Sequence, residues 1–450
     1  MYLYSMIKKF ILATCIAVSV TFSLSAQTEV KNIKKHINFL ASDKLKGRGT
    51  SSEGEEKAAQ YIADYFKKLK LDPMGSIGPK KNSAVLKQSY FFDFTFKKNP
   101  NPHDTNTANI VERKGKNVVA FLNNGAANTI VIGAHFDHLG LGHDYNSLDA
   151  NPEGKIHNGA DDNASGTAGV LELARYYATN NVTEKYNFLF MTFSGEELGL
   201  LGSKKWCDNP TYPLEKINYM INMDMVGRLN DSTKKLIIYG VGTAPEFVEL
   251  IDKTNTNETL KQYFYKDDSA IKNDTIFNNW FFSIKKDSAG IGPSDQTSFY
   301  LKDIPVLHFF TGQHSDYHKP TDDADKINYP GEKMVLDYIT RFVAETEALP
   351  KLKFTATKTQ ETKSTKFKVT LGVMPDYAYE GKGMRIDGVT NGKSAAKAGL
   401  EKGDIVIKLG ETAIDNMESY MKALSVYQKG DKAKVKVLRK DQEKEFEVEF

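Results

Sequence analysis

TIVIGAHFDHLG, residues Thr129–Gly140, opens as a strand and closes as a cluster of polar groups. Thr129, Ile130, Val131 and Ile132 lead through Gly133 and Ala134 into His135-Phe136-Asp137-His138. A short apolar and β-branched run of this kind predicts a buried strand. Its tip is either a solvated loop or a mount that carries an imidazole and a carboxylate to one place. The neighbouring segments decide between the two.

Outward from this strand, helices and strands alternate. Upstream, YFFDFTF and NVVAFL read as strands, and residues 32–71 have helical spacing with Ala59, Ile62, Ala63, Phe66 and Leu69 on one stripe. Downstream, TAGVLELARYYAT predicts a helix, YNFLFMTFS a strand and EELGLLGSKKWCD a helix. INYMINMDMVG and IPVLHFFTG follow as strands, and GEKMVLDYITRFVAETEAL as a closing helix. The alternation predicts an α/β fold, a mixed and mostly parallel sheet sandwiched by helices, with functional groups gathered where strands end.

At 450 residues the chain suits one large domain and a smaller one. Hydrophobic residues at 40% and charged residues at 26% belong to a globular protein with a core. A formal net charge of +3, with no basic stripe, sets nucleic acid binding aside. Residues 1–26 place Lys8 and Lys9 before an apolar run and then small residues, the order of an export signal cleaved after Ala26. This predicts a periplasmic or extracellular protein. Lipid attachment at Cys15 is disfavoured because the apolar run continues past it. No later stretch is long and apolar enough for a transmembrane helix. Cleavage leaves Cys207 as the only thiol and excludes an internal disulfide framework. The expected division is a main domain over 27–350, a Lys- and Thr-rich linker over 351–366 and a second domain of short strands over 367–450.

Five strand ends or loops carry acids or histidines. They are His135-x-Asp137, NGADDNASGTAG with Asp161 and Asp162, FSGEELG with Glu196 and Glu197, NMDMVG with Asp224, and HSDYHKPTDD with His314 and His318. Singly, each has an ordinary reading as a cap or a solvated first helical turn. Asp224 within an apolar strand is harder to place that way, because a buried carboxylate is costly unless paired or coordinated. Jointly, two histidines and several carboxylates fit a divalent metal, and mixed nitrogen and oxygen donors suit zinc.

In this order the five motifs resemble the exported di-zinc aminopeptidases, whose wider superfamily includes glutamate carboxypeptidase and glutaminyl cyclase. The resemblance runs from about Asn32 to Leu349. It implies that His135, Asp162 and Asp224 hold one zinc, and that Asp162, Glu197 and His318 hold a second, with Asp162 rather than Asp161 bridging. It also implies a cis peptide bond between Asp162 and Asn163. Two metals that share a water lower its pKa. Glu196, beside a ligand, then suits a general base. Asp137 suits the carboxylate that orients the His135 ring. Tyr317 either donates to the oxyanion or only packs beside His318. His138, His143, His157 and His308 read as loop or core residues, and His314 as a neighbour of the second metal. In GIGPSDQTSFY, Asp295 is a supporting candidate, and Gln296 stands where the family often has histidine.

The segment from Leu371 onward resembles a bacterial-type PDZ domain, carried by SAAKAGLEKGDIVIKLGETAI, MESYMKALS and KAKVKVLR. The resemblance implies that a peptide or protein C-terminus adds as a strand, its carboxylate held by Leu371-Gly372-Val373 and its groove lined by Met417, Met421 and Leu424. A module that only docks on the main domain is the equal alternative. The expectation for the whole chain is an exported zinc aminopeptidase acting on peptides. The rivals are a glutaminyl cyclase-type acyltransferase and an inert peptide-binding scaffold, the latter disfavoured by the intact motif set.

Overall fold

A computed structural model describes residues 27–79, 86–98, 110–144, 146–256, 281–357, 369–375, 379, 381–389, 392–415 and 417–450. The predicted export signal, most of the predicted linker and the side chains of Met417 and Met421 lie outside the described residues. Strands of the main domain are β1 (Asp72–Pro73), β2 (Ile77–Pro79), β3 (Leu86–Gln88), β4 (Phe91–Lys98), β5 (Val111–Leu122), β6 (Asn128–His135), β7 (Tyr186–Phe193), β8 (Ile217–Met223), β9 (Lys235–Tyr239), β10 (Ser283–Asp287) and β11 (Val306–Phe310). Its helices are α1 (Val30–Leu40), α2 (Glu53–Lys68), α3 (Gly166–Thr179), α4 (Leu201–Asp208), α5 (Phe247–Thr254), α6 (Gln296–Tyr300) and α7 (Tyr329–Thr346).

The main sheet runs β1-β5-β7-β6-β8-β11-β9-β10, with β4 also paired to β5. Its centre, β7-β6-β8-β11, is parallel, and antiparallel strands flank it. Side chains alternate faces along a strand, and the sequence supplies apolar residues for both. In β7, Phe188 and Phe190 join the core with Ile33 of α1, Phe66 of α2, Leu171 of α3 and Phe342 of α7. Leu189, Met191 and Phe193 join the opposite core with Trp206 of α4 and Phe299 of α6. The central parallel strands therefore end together in a sheet covered on both faces. Among the described residues no helix is long and apolar enough to cross a membrane.

Three local expectations are corrected. The helical stretch over 32–71 divides at a tight turn, Asp43–Arg48. There Gly47 has φ 72°, and a Cβ on it would meet the Gly140 carbonyl oxygen at 2.5 Å. The helix expected from Glu196 begins only at Leu201, because Gly199 and Leu200 are left-handed at φ 109° and 59°. Glu196 and Glu197 consequently stand on a turn. Asp224 is the first residue beyond β8 rather than part of it.

The C-terminal domain contains β12 (Val373–Pro375), β13 (Met384–Val389), β14 (Ile405–Leu409), β15 (Thr412–Ala413), β16 (Lys432–Arg439) and β17 (Gln442–Glu449), with α8 (Ser394–Ala398) and α9 (Met417–Leu424). Its strands form their own antiparallel sheet, β12-β13-β14-β16-β17 with β15 on β14. Leu371, Ile386, Val406, Val435 and Val437 form its core. Leu424, expected in a groove, packs in that core. The Gly372 amide donates to the Thr370 hydroxyl at 3.0 Å, and Val373 opens the edge strand.

Candidate metal centre

β6 ends on His135, β7 leads to Glu196 and Glu197, β8 leads to Asp224, and the loop after β11 carries His318. The turn Ala160–Ser165 before α3 brings in Asp162, whose peptide bond to Asn163 is cis. Asp162 lies between two imidazoles. Its Oδ1 is 3.4 Å from His135 Nε2, and its Oδ2 is 3.2 Å from His318 Nε2. His135 Nε2 also lies 3.4 Å from Asp224 Oδ1 and 3.8 Å from Glu196 Oε2. His318 Nε2 lies 3.1 Å from Glu197 Oε2, while its Nδ1 donates to the Asn146 carbonyl at 2.8 Å. The fold thus gathers all five expected ligands and Glu196.

Asp161 faces elsewhere. Its carboxylate accepts from the Gly227 amide at 2.7 Å and pairs with His314 Nε2 at 3.0 Å, so His314 supports the turn rather than the cluster. Asp137 is fully buried. Its carboxylate accepts from Thr50 Oγ1 at 2.8 Å and from the Glu196 amide at 3.2 Å, and stands 3.7 Å from His135 Nδ1. The closer acceptor for Nδ1 is the Asp137 carbonyl at 3.2 Å. Backbone and carboxylate of Asp137 thus both lie beside the His135 ring, where the carboxylate alone was expected. Tyr317 stacks on the His318 ring at 3.9 Å. Asp295 is buried with the Ser203 hydroxyl nearby but not at hydrogen-bond geometry, and burial pushes its carboxyl up to about 7.

His138, read from the sequence as a loop or core residue, belongs to the site. Its Nδ1 is 2.7 Å from Glu197 Oε1 and its ring meets His318 edge-on. The second histidine of HFDH was the available signal. Arg48 was missed altogether. It is buried and donates to the carbonyls of Leu40, Phe136, Asn158 and Gly159, tying the His135 and Asp162 loops together.

The electrostatics fit a cation. Burial lowers the affinity of His135 and His318 for a proton, yet Asp224 and Glu196 around the first, and Glu197 and Asp162 around the second, raise both well above the usual range. Burial also pushes the Glu196 carboxyl well up, opposed by His135 and reinforced by Glu197 and Asp224. Glu197 is brought down to about 2, because His318 and His138 outweigh its burial. Four carboxylates packed around these rings need positive charge, which buried imidazoles supply only by taking up protons. Among the described residues two groups have ligand atoms within 4.8 Å of one another, His135-Glu196-Asp224 and His138-Asp162-Glu197.

This sheet, with imidazoles and carboxylates clustered at its strand ends, makes a site that could hold metal. Residues 117–343 match Peptidase family M28, and the chain belongs to that zinc-dependent family. Residues 359–450 match a PDZ domain. Leucine aminopeptidase 2 of Arthroderma otae is 28% identical over 198 residues, 44% of this chain and 33% of its own length. Aminopeptidase YwaD of Bacillus subtilis is 26% identical over 194 residues, 42% of this chain and 37% of its own. The chain thus spans about a third of the length of these curated relatives. A glutaminyl cyclase from Porphyromonas gingivalis shares the fold with a TM-score of 0.52 at 16% identity, over 71% of this chain and 100% of that one.

Proposed function

We propose that the chain is an exported di-zinc aminopeptidase that removes residues from peptide N-termini. The observation that carries this reading is Asp162 set between His135 and His318, with Asp224 and Glu197 on their outer sides. His135, Asp162 and Asp224 would hold one zinc, and Asp162, Glu197 and His318 the other. Zinc, when bound, supplies a Lewis acid and an acidified water.

The protein's own groups do the rest. Glu196 is mostly, not fully, buried beside the cluster without being needed as a ligand, so its carboxylate can take the attacking water's proton and return it to the leaving amine. Asp137 holds the Glu196 amide and the His135 ring in one arrangement. His138 does the same for Glu197. Tyr317, fixed by its stack on His318, is the candidate donor to the developing oxyanion. The same reading puts the peptidase domain at 27–350, the linker at 351–366 and the PDZ domain at 367–450, whose Leu371-Gly372-Val373 loop and edge strand β12 would take a peptide C-terminus.

The test measures amino acid release from unblocked peptides by the zinc-loaded chain and by Glu196→Gln, with metal content determined for both. Wild type should release N-terminal residues and lose activity to a chelator. Glu196→Gln should keep about two metals per chain and fall at least ~100-fold in kcat. Bound metal with pyroglutamate formed from N-terminal glutamine would replace the reading with a cyclase, and no bound metal would end it.

A further inference from the structure

The ends of β8, β9 and β11 carry polar side chains that this chemistry does not use. Along β11, Leu307 and Phe309 face one core, while Val306 faces the other and His308 shares its side. His308 is level with Asn222 on β8 and Tyr239 on β9, and its ring stacks on Tyr239 at 5.4 Å. The cavity of about 80 Å³ that contains the metal centre, with His135, Asp162, Glu196, Asp224 and His318 in its wall, is also lined by His308, Gln313, Tyr239, Phe310 and Met225.

His308 is only 2% exposed, yet neither ring nitrogen has a partner at hydrogen-bond geometry, and the Asp224 backbone only approaches it. Gln313 Oε1, which lines the same cavity, is buried and unpartnered, as are Asn222 Oδ1 on β8 and Gln296 Nε2 on α6. Each such atom costs about 1–3 kcal/mol unless something completes it. A neutral imidazole offers one donor and one acceptor.

We propose that this cavity receives the substrate's first side chain and that His308 and Gln313 select asparagine or glutamine there. The side-chain carbonyl accepts from the imidazole N–H, and the amide N–H donates to Gln313 Oε1. Aspartate or glutamate would bring another carboxylate beside Glu196 and Asp224. Leucine or methionine fills the space and leaves both poles unpaired, the situation in which polar sites discriminate strongly. The inference rests on the peptidase reading of the metal centre in the same cavity.

The experiment compares kcat/KM for asparagine and leucine p-nitroanilides, a near-isosteric pair, using the zinc-loaded full chain. Asparagine is chosen because it avoids the ring closure open to N-terminal glutamine. Wild type should prefer asparagine at least tenfold, and the ratio should fall at least tenfold in both His308→Leu and Gln313→Leu. Equal or better use of leucine by wild type, or ratios unchanged in both variants, overturns the assignment and leaves the peptidase reading standing. If His308→Leu does not fold, as judged by its melting curve, the Gln313→Leu ratio alone decides. Release from neither substrate, nor from any unblocked peptide, removes the peptidase reading and this inference together.

Discussion

Among the described residues Arg48 has no carboxylate at hydrogen-bond distance, only four backbone carbonyls from segments up to 111 positions away. Burial brings its guanidinium down to about 10, still charged at any working pH. Arg48→Ala orphans the carbonyls of Leu40, Phe136 and Asn158, while that of Gly159 keeps its bond from the Ala164 amide, and each buried orphan costs about 1–3 kcal/mol. Even with partial hydration the expected loss is at least ~3 kcal/mol, read from the denaturant midpoint. A loss below ~1 kcal/mol would mean that water replaces the side chain. His36 gives a pH signature. Burial, aided by Lys35 and Arg175, pushes it from 6.5 to about 3, and its Nδ1 meets the Tyr61 hydroxyl at 2.8 Å. The folded state holds the neutral ring, so its contribution is full above about pH 6.5 and is lost as the pH falls toward 3. Between pH 6.5 and 4 the Tm of wild type should drop further than that of His36→Phe, and parallel curves would argue against the assignment.

At the scale of elements, what was legible follows from what is local. β6, β7, β8 and β11 are rich in apolar residues, and the motif residues lie at their ends or in the loops that follow, so strands and ligands were read together. The start of α4 was misread because EELGLL has good helical composition, while the left-handed Gly199 and Leu200 answer to the site's geometry rather than to propensity. His138 and Arg48 escaped because their partners lie far along the chain, where no spacing rule reaches. Trp206 shows what seats α4 once it forms. It is fully buried, stacks on Phe299 of α6 at 5.6 Å and donates to Thr211 Oγ1. Trp206→Ala should cost ~3–5 kcal/mol of main-domain stability, measured by chemical unfolding.

At the scale of the whole molecule, the cores are separate. The cluster around Val435 draws only on residues 371–450, and the two clusters of the main sheet draw on none of these. Calorimetry should therefore resolve two transitions. Val435→Ala, worth about 2 kcal/mol, should lower one, and Trp206→Ala the other. A single transition moved by both substitutions would mean that the domains unfold as one unit. The match to the peptidase family begins at residue 117, whereas Arg48, Thr50 and the carboxyl of Glu55, which accepts from Ser194 beside the Glu196 turn, all precede it. A fragment trimmed for expression to the matched stretch would keep every proposed ligand and lose the wall behind them. The smallest unit worth producing starts with α1.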